Sequence, residues 1–497
     1  AGFIEYLFAG RKPPEREAGK SMSQDDHHHS IPSGIRRVHL IAVCGTAMGA
    51  LAAMLQELGL RVTGSDRNVY PPMSTFLEER GIHVQEGFDP AHLAYRPDLV
   101  VVGNAVSRDN PEVVAVAQMG LNYCSMPEAL NYFAAAGKDT LLVAGTHGKT
   151  TTSSLLAWLL YAAKTDPTFM IGGILNNFNG NYRMGQGPYF VVEGDEYDTA
   201  YFDKGPKFLH YRPKAAVLTS VEFDHADIFD DLAHVKSVFG RFLERLAPES
   251  ILLAYDDDAH IEALLPRATC RVERYGRSEK AAWRLGRVQL NPPETRFEVW
   301  RNGRLFGEFT TRMIGEHNLM NTLAALGVAH HMGLDATVLA DGLAAFRGIK
   351  RRQEVRGVRR GIVVIDDFAH HPSAVRETVR AVKTFYGERR LVAVFEPRTN
   401  TSMRDVFQDT YSTCFDPADR VCIRQPPLLS KIPSGERFSS EKLVEDLRGR
   451  GRMACFFPDT DAIIDHLVAT SREGDVILIM SNGGFDNIHA RLLEALA

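Results

Sequence analysis

The sequence predicts an α/β protein of about three domains, because 497 residues exceed what one hydrophobic core usually supports. Three times along the chain an apolar strand runs into a glycine or an acidic turn and then into a helix-like stretch, at VHLIAVCG, TLLVAG and GIVVIDDFAHHP. Continuous apolar strands alternating with helices imply parallel sheets covered on both faces. A composition of 44% hydrophobic and 24% charged residues is that of a globular chain with at most local disorder.

The elements follow in order. Residues 1–33 include RKPPEREAGKSMSQDDHHHS, polar and without a packing pattern, and are expected to form a flexible tail. Its His27, His28 and His29 read as surface or tag-like histidines before they read as metal ligands. A first domain is expected over 34–137, with the strand at 38–45, a helix in ALAAMLQELG, a strand in RVTGSD and a later strand in LVVVGNAVS, residues 99–107. The second, 138–346, opens with the strand at 140–145 and a helix from about Thr151. In it YFVVEGDEYD and KAAVLTSVEFDH each end an apolar strand in acids, and GEHNLMNTLAALGVAHHMG, residues 315–333, reads as a helix stopped by glycine. The third, 347–497, carries GIVVIDDFAHHP, RRLVAVFEPRTNTS and GDVILIMSNGGFD. In open parallel sheets the carboxyl ends of the strands are where ligands bind, so the three sets of exit loops are expected to face shared clefts.

Charge and cysteines narrow the function classes. A formal net charge of -5 without a long basic block argues against nucleic acid or an anionic membrane as the main partner, but permits a small polyanion held by local cations. Six cysteines without a CxxC spacing read as reduced thiols of a cytoplasmic protein. The opening residues lack a signal-peptide pattern, and no apolar run reaches the roughly 20 residues that span a bilayer, so stable membrane insertion is not expected.

GTHGKTTT, Gly145 to Thr152, lies between a strand and a helix and resembles a nucleotide phosphate loop with a shortened glycine spacing. Glycines let the backbone turn its N–H groups inward, Lys149 can reach terminal phosphate oxygens, Thr150 can place a hydroxyl on Mg²⁺, and the following helix adds its positive end. Gly145, Thr146, His147, Gly148, Lys149, Thr150 and Thr151 are therefore the expected ATP cradle, with Thr151 and Thr152 either capping the helix or touching phosphate. VVEGDEYD supplies Glu193, Asp195, Glu196 and Asp198, and Glu193, just past a buried strand, suits a magnesium shell of oxygens. In SVEFDHADIF, His225 either binds a second metal, hydrogen-bonds an acyl phosphate or pairs structurally with Asp227. No G-x-S-x-G elbow is present, so a serine hydrolase is not indicated.

The ordered set GTHGKTTT, EGDEYDTAYFDK, SVEFDHADIF, GEHNLMNTLAA, FRGIKRR, DDFAHHP and FEPRTNTS, with VCGTAMGALA and GSDRNVYPPMSTFLE before it, resembles the Mur ligase family. These are ATP-dependent amide-bond-forming enzymes of bacterial peptidoglycan metabolism. The resemblance covers almost everything after the tail and implies three domains: Rossmann-like N-terminal, central P-loop ATPase and Rossmann-like C-terminal. NVYPPMSTFLE, EYDTAYFDKGPKFLHYRP, EFDHADIF, EPRTNTS and MSNGGFDNIH favour the branch that joins UDP-N-acetylmuramate to the murein tripeptide L-alanyl-gamma-D-glutamyl-meso-diaminopimelate. The nearest rival branch couples L-alanine. A P-loop kinase or ATPase, or an inactive nucleotide-binding protein, stands further off.

Carried onto matching positions, the resemblance gives Lys149 the β and γ phosphates, Thr150 and Glu193 a magnesium ion, and His225 a second metal near the acyl phosphate. Asn318, with Asn321 one turn on, would lie at the adenine pocket or pack the helix. Arg352 would contact nucleotide phosphate, its planar fork suiting those oxygens. Asp367 would meet the ribose, with Asp366 a second candidate, and His370 or His371 would either approach ADP or cap a strand end. VCGTAMG is a poor dinucleotide fingerprint, so Gly45, Thr46 and Gly49 are assigned to the UDP pyrophosphate by resemblance. Asp66, Asn104 and Ser107 stand at nearby strand exits as UDP-sugar contacts. Arg398 is the expected grip on a peptide carboxylate, with Thr399, Asn400, Thr401, Ser402 and the SNGG loop around Asn482 reading adjacent polar atoms. A monomer or weak homo-oligomer is expected.

Overall fold

Three sheets succeed one another along the chain, described here from a computed structural model for residues 29–497, residues 227 and 428 excepted. His27, His28 and Asp227, singled out above, lie outside the described residues. The first sheet contains β1 Arg37–Ile41, β2 Arg61–Asp66, β3 His83–Glu86, β4 Leu99–Val102 and β5 Tyr123–Ser125, in the order β3-β2-β1-β4-β5 and parallel throughout. Residues 99–102, LVVV, are buried on both faces, as the uninterrupted apolar run requires.

The second sheet has ten strands. β6 Asp139–Ala144 is its centre, between β9 Tyr189–Gly194 and β12 Ala215–Leu218, and all three are parallel. β7 Thr168–Leu175 and β8 Gly180–Arg183 extend one side, and β10 Asp198–Ala200 pairs with β11 Asp203–Pro206 in a separate hairpin. On the other side come β13 Ile251–Tyr255, β14 Arg271–Gly276, β15 Trp283–Asn291, β16 Glu294–Arg301 and β17 Arg304–Thr311. The last three form an antiparallel ribbon, a departure from the purely parallel sheet expected. Its signal lies in the sequence: alternating apolar residues on either side of Asn302-Gly303, whose φ values of 48° and 77° suit a tight hairpin turn.

Glu273 of β14 ties this ribbon to the core helix Glu316–His331, accepting from Trp283 Nε1 at 2.9 Å and pairing with His331 Nε2 at 2.9 Å. Burial pushes its pKa up, but His331, Trp283 and Arg271 outweigh burial and hold it at about 2, from 4.5. A depressed carboxyl contributes stability that is fully present above its unfolded value and lost as pH falls through the folded one. Glu273→Gln is therefore expected to lower the melting temperature near neutral pH, with the gap from the parent closing between pH 4.5 and about 2, as thermal melts at several pH values would record.

The third sheet comprises β18 Glu354–Arg359, β19 Ile362–Asp367, β20 Leu391–Phe395, β21 Arg420–Arg424, β22 Ala454–Phe457 and β23 Val476–Met480, ordered β18-β19-β23-β20-β21-β22 with only β18 antiparallel. The chain enters it through a junction clasped to the central domain: Arg347 N donates to Asn177 Oδ1 at 2.8 Å and Lys350 N to Ile174 O at 2.9 Å.

Three further features bear on the expectations. His29 packs where a free tail was expected, its ring stacked 5.2 Å from Tyr123 and its Nε2 3.1 Å from Glu128. All six cysteines are free of disulfides. Among the described residues no helix is long and apolar enough to cross a membrane.

Candidate functional site

The loop after β6 leaves the sheet between the exits of β9 and β12. Gly145 turns there at φ +134°, and a Cβ would stand 2.2 Å from Thr219 Oγ1, so only glycine fits. Gly148 has φ +80°, with its Cβ position 2.5 Å from Asn321 Oδ1. The shortened loop is held by the neighbouring exit: Thr146 N donates to Ser220 O at 3.0 Å, Glu222 N to the Thr146 hydroxyl at 2.9 Å, and His147 N to Ser220 Oγ at 2.8 Å. The helix that follows starts at Lys149, two residues before the expected Thr151, and no side chain caps it, leaving its first N–H groups for an anion. Thr151 is buried inside its first turn. Gly145→Ala is expected to displace this loop and lower kcat/KM for ATP by about 10²-fold, measurable by steady-state kinetics on a protein whose melt confirms folding.

Lys149 folds back over the loop, donating to Gly145 O at 2.6 Å and Thr146 O at 3.0 Å and pairing with Glu196 at 2.9 Å. Burial pulls its pKa down, but Glu196, with Asp195 and Glu193 behind it, outweighs burial and leaves the ammonium above the ordinary lysine value. Thr150 Oγ1 donates to Glu193 Oε1 at 2.8 Å, and Glu193 Oε2 accepts from Gly172 N at 2.7 Å. A hydroxyl beside a carboxylate oxygen is the donor set that Mg²⁺ favours. Arg352 arrives from the third domain with Nη2 3.4 Å from Thr150 Oγ1, its guanidinium over the Phe368 ring at 4.8 Å.

His225 bonds to the Tyr197 hydroxyl through Nδ1 at 2.8 Å and to Glu196 Oε1 through Nε2 at 3.1 Å, so a metal here would replace one of these partners. Burial lowers the pKa of His225, but Glu196 and Asp224 more than reverse that. Asp224 sits among four imidazoles, His225, His370, His371 and His147, and these overcome burial to hold its carboxyl well below the usual range.

Asn318 Nδ2 donates to Ile314 O at 2.8 Å and to Gln353 Oε1 at 3.0 Å, while Asn321 Oδ1 accepts from Thr152 Oγ1 at 3.2 Å. Both amides thus bind the core helix to the loop and the junction. Asp367 is buried, and both its oxygens accept backbone N–H groups, from Gln353 at 2.8 Å and Ala369 at 2.8 Å. Asp366 is engaged elsewhere, with Arg356 at 3.1 Å and His489 at 3.3 Å. His370 bonds Phe368 O at 2.9 Å, and His371 caps the helix Pro372–Tyr386.

In the first domain Gly45 and Thr46 are exposed where β1 gives way to the helix Thr46–Glu57. Gly49 is one turn inside that helix and buried, where a Cβ would stand 2.3 Å from Met73 Cε at the tip of that flexible side chain. Asp66 spends both oxygens on backbone, accepting from Cys44 N at 2.9 Å and Asn68 N at 3.0 Å, and thereby shapes the glycine turn. Asn104 and Ser107 are exposed past β4.

At the third-sheet exits, Ser402 Oγ accepts from Arg398 N at 3.0 Å and Thr399 N at 2.9 Å, which closes the RTNTS turn. Asn400 is exposed at its tip, and Thr401 Oγ1 accepts from Ala226 N at 3.2 Å across the domains. Arg398 crosses Gly483, where a Cβ would stand 2.1 Å from its Cδ, and Asn482 Oδ1 is buried without a hydrogen-bond partner among the described residues. Arg351 donates through Nη2 to Ser481 O at 2.5 Å and Gly483 O at 2.6 Å.

Sequence reasoning passed over several residues that the fold brings here. Lys207 pairs with Asp195 beside Lys149. Glu396, at 0% exposure, holds Arg424, Ser481 Oγ at 2.7 Å and, at 3.6 Å, Arg398. The Glu396 of FEPRTNTS offered a local signal, an acid at the end of a buried strand; Arg424 offered none.

Family models match the whole run of domains: Mur ligase family, catalytic domain, over residues 37–138; Mur ligase middle domain over 143–329; and Mur ligase, glutamate ligase domain, over 351–483. The UDP-N-acetylmuramate--L-alanyl-gamma-D-glutamyl-meso-2,6-diaminoheptandioate ligase of Escherichia coli (strain K12) is 39% identical over 462 residues, 93% of this chain and 98% of that one. The UDP-N-acetylmuramate--L-alanine ligase of Myxococcus xanthus (strain DK1622) is 34% identical over 465 residues, 93% of this chain and 95% of that one. A murein peptide ligase from Psychrobacter arcticus, solved by crystallography, superposes with a TM-score of 0.67 at 34% identity, covering 93% of this chain and 99% of that one.

Proposed function

Since the chain belongs to the Mur ligase family, we propose that it joins the carboxylate of UDP-N-acetylmuramate to the L-alanine amine of L-alanyl-gamma-D-glutamyl-meso-diaminopimelate with cleavage of ATP, in peptidoglycan recycling in the cytoplasm. One arrangement carries the reading: a half-buried lysine on an uncapped helix start, beside a paired hydroxyl and carboxylate, with an arginine from the next domain at the same threonine.

The muramic-acid carboxylate attacks the ATP γ phosphorus, the bond to the bridging oxygen breaks, and ADP leaves an acyl phosphate. Lys149 and the first N–H groups of its helix stabilise the charge that moves onto the phosphate oxygens, acting where it develops. Mg²⁺, held by the Thr150 hydroxyl and the Glu193 carboxylate, would supply further neutralisation of the triphosphate. The unprotonated L-alanine amine then attacks the activated carbonyl, phosphate departs, and one proton is released as the amide forms.

Around these steps other residues orient the reactants. Arg352 closes the cleft over the nucleotide and keeps water from the acyl phosphate. Arg398, aimed by Glu396, grips a peptide carboxylate, while Asn482 Oδ1 can accept from an amine of the diaminopimelate end. Gly45, Thr46, Asn104 and Ser107 line the UDP side, with Asp66 as a positioning residue. Asn318 and Asp367 bound the nucleoside side and position the loop and the junction.

The experiment supplies purified protein with ATP, magnesium and UDP-N-acetylmuramate, then adds tripeptide or L-alanine. Tripeptide-dependent ADP release with a matching gain in product mass is expected. Preferential coupling of L-alanine would assign the chain to the other branch, and turnover without either amine would point to an ATPase.

A further inference from the structure

Beside the phosphate loop three donors that the mechanism does not use converge from three segments. His147 comes from the loop itself, Glu222 from the exit of β12, and His371 from the start of the helix Pro372–Tyr386 in the third domain. One ligand atom from each lies within 4.8 Å of the others. His147 Nε2 is 3.9 Å and His371 Nδ1 3.8 Å from the same oxygen, Glu222 Oε2, and the two rings lie 4.5 Å apart.

We propose that His147, Glu222 and His371 form a site for a divalent transition cation of the zinc class, which fastens the phosphate loop to the third domain. The donor character separates it from the Thr150 and Glu193 pair. Two imidazoles and one carboxylate suit zinc, whereas magnesium prefers oxygen alone.

The surroundings are those of a ligand set. His371 Nε2 donates to Phe223 O at 3.1 Å, which fixes the tautomer and leaves the Nδ1 lone pair facing Glu222. That lone pair accepts only a long bond, 3.3 Å, from Ser373 N, which a metal would displace. The Ser373 hydroxyl donates to Glu222 Oε2 at 2.5 Å and orients the carboxylate. His147 Nε2 is buried and has no hydrogen-bond partner among the described residues, although a buried polar atom ordinarily finds one. Burial first, then His371, keeps its pKa well below the ordinary imidazole value. Bonds of about 2.0 Å to a tetrahedral ion would hold the donors roughly 3.3 Å apart, so closure requires side-chain movements of under about 1 Å.

The test measures zinc binding to the full chain, without nucleotide and in excess magnesium, by competition with a chromogenic chelator. Cobalt substitution reports coordination through its visible absorption. His27→Ala with His28→Ala forms the parent background, because a histidine run binds such ions by itself. One zinc per chain is expected, with an absorption band of four- or five-coordinate cobalt that zinc abolishes. Glu222→Gln and His371→Asn, the latter keeping a helix-capping acceptor, should each weaken binding by at least tenfold, and Ser373→Ala by about tenfold. Circular dichroism melts establish that the variants are folded, and Glu222→Gln, which removes no cap, is decisive should His371→Asn unfold. Absence of stoichiometric zinc in the parent, or unchanged affinity in folded Glu222→Gln, would overturn the proposal. Neither readout depends on ligase activity, so failure of the functional reading would leave it standing.

Discussion

Lys149→Ala is expected to remove at least about 10²- to 10³-fold of ATP-dependent turnover, the scale on which one preorganised charge at a developing anion acts. Besides the transition-state role proposed for it, the lysine forms an ion pair that holds the fold. Its partner Glu196 has only 3% of its side chain exposed and also meets His225 Nε2 at 3.1 Å, so removing the lysine leaves a buried carboxylate with one partner in place of two, at a cost of at most about 3–5 kcal/mol. Activity and stability should therefore both fall in the single variant. They separate in Lys149→Ala/Glu196→Gln, where the buried charge is gone from both sides. A thermal melt should recover most of the lost stability, while ADP release stays at the level of the single variant. Near-normal turnover in either protein would remove Lys149 from the mechanism.

The second large effect falls on stability alone in the first instance. Arg424→Leu strips the principal cation from Glu396, which is wholly buried, and should lower unfolding free energy by about 3–5 kcal/mol in a denaturant titration. Arg424 also pairs with Asp486 at 2.6 Å, beside the loop after β23. Glu396 aims Arg398, so whatever protein survives folded should show a raised KM for the tripeptide with KM for ATP nearly unchanged. Equal changes in the two constants would mean that Glu396 holds the domain as a whole and does not aim Arg398.

Much of this was legible in the residues, for a physical reason. Strands buried on both faces announce themselves as apolar runs, and LVVV or IVVIDD could be read without coordinates. The turn from strand to helix at GTHGKTTT was legible because its glycines have a local backbone job. The antiparallel ribbon was overlooked because its alternating strands follow parallel ones of the same sheet, although Asn302-Gly303 marked the turn. Roles that depend on long-range pairing were not legible. Asp366 and Asp367 are adjacent in sequence, yet the pleat sends one to Arg356 and the other to backbone amides of Gln353 and Ala369. Gly49, read as a glycine of the pyrophosphate turn, lies inside the helix with the tip of Met73 against it, a contact with a residue 24 positions away that no local pattern announces.

The domain junction has one more consequence. It is clasped to the central domain as far as Lys350, and the next two residues take different partners although both guanidinium groups lie against the Phe368 ring: Arg351 holds the carbonyls of Ser481 and Gly483, and Arg352 reaches toward Thr150. The arginine at the phosphate loop is thus separated from the anchor of the SNGG turn by a single planar peptide unit. Neither anchor can be relocated without moving the backbone that carries the other.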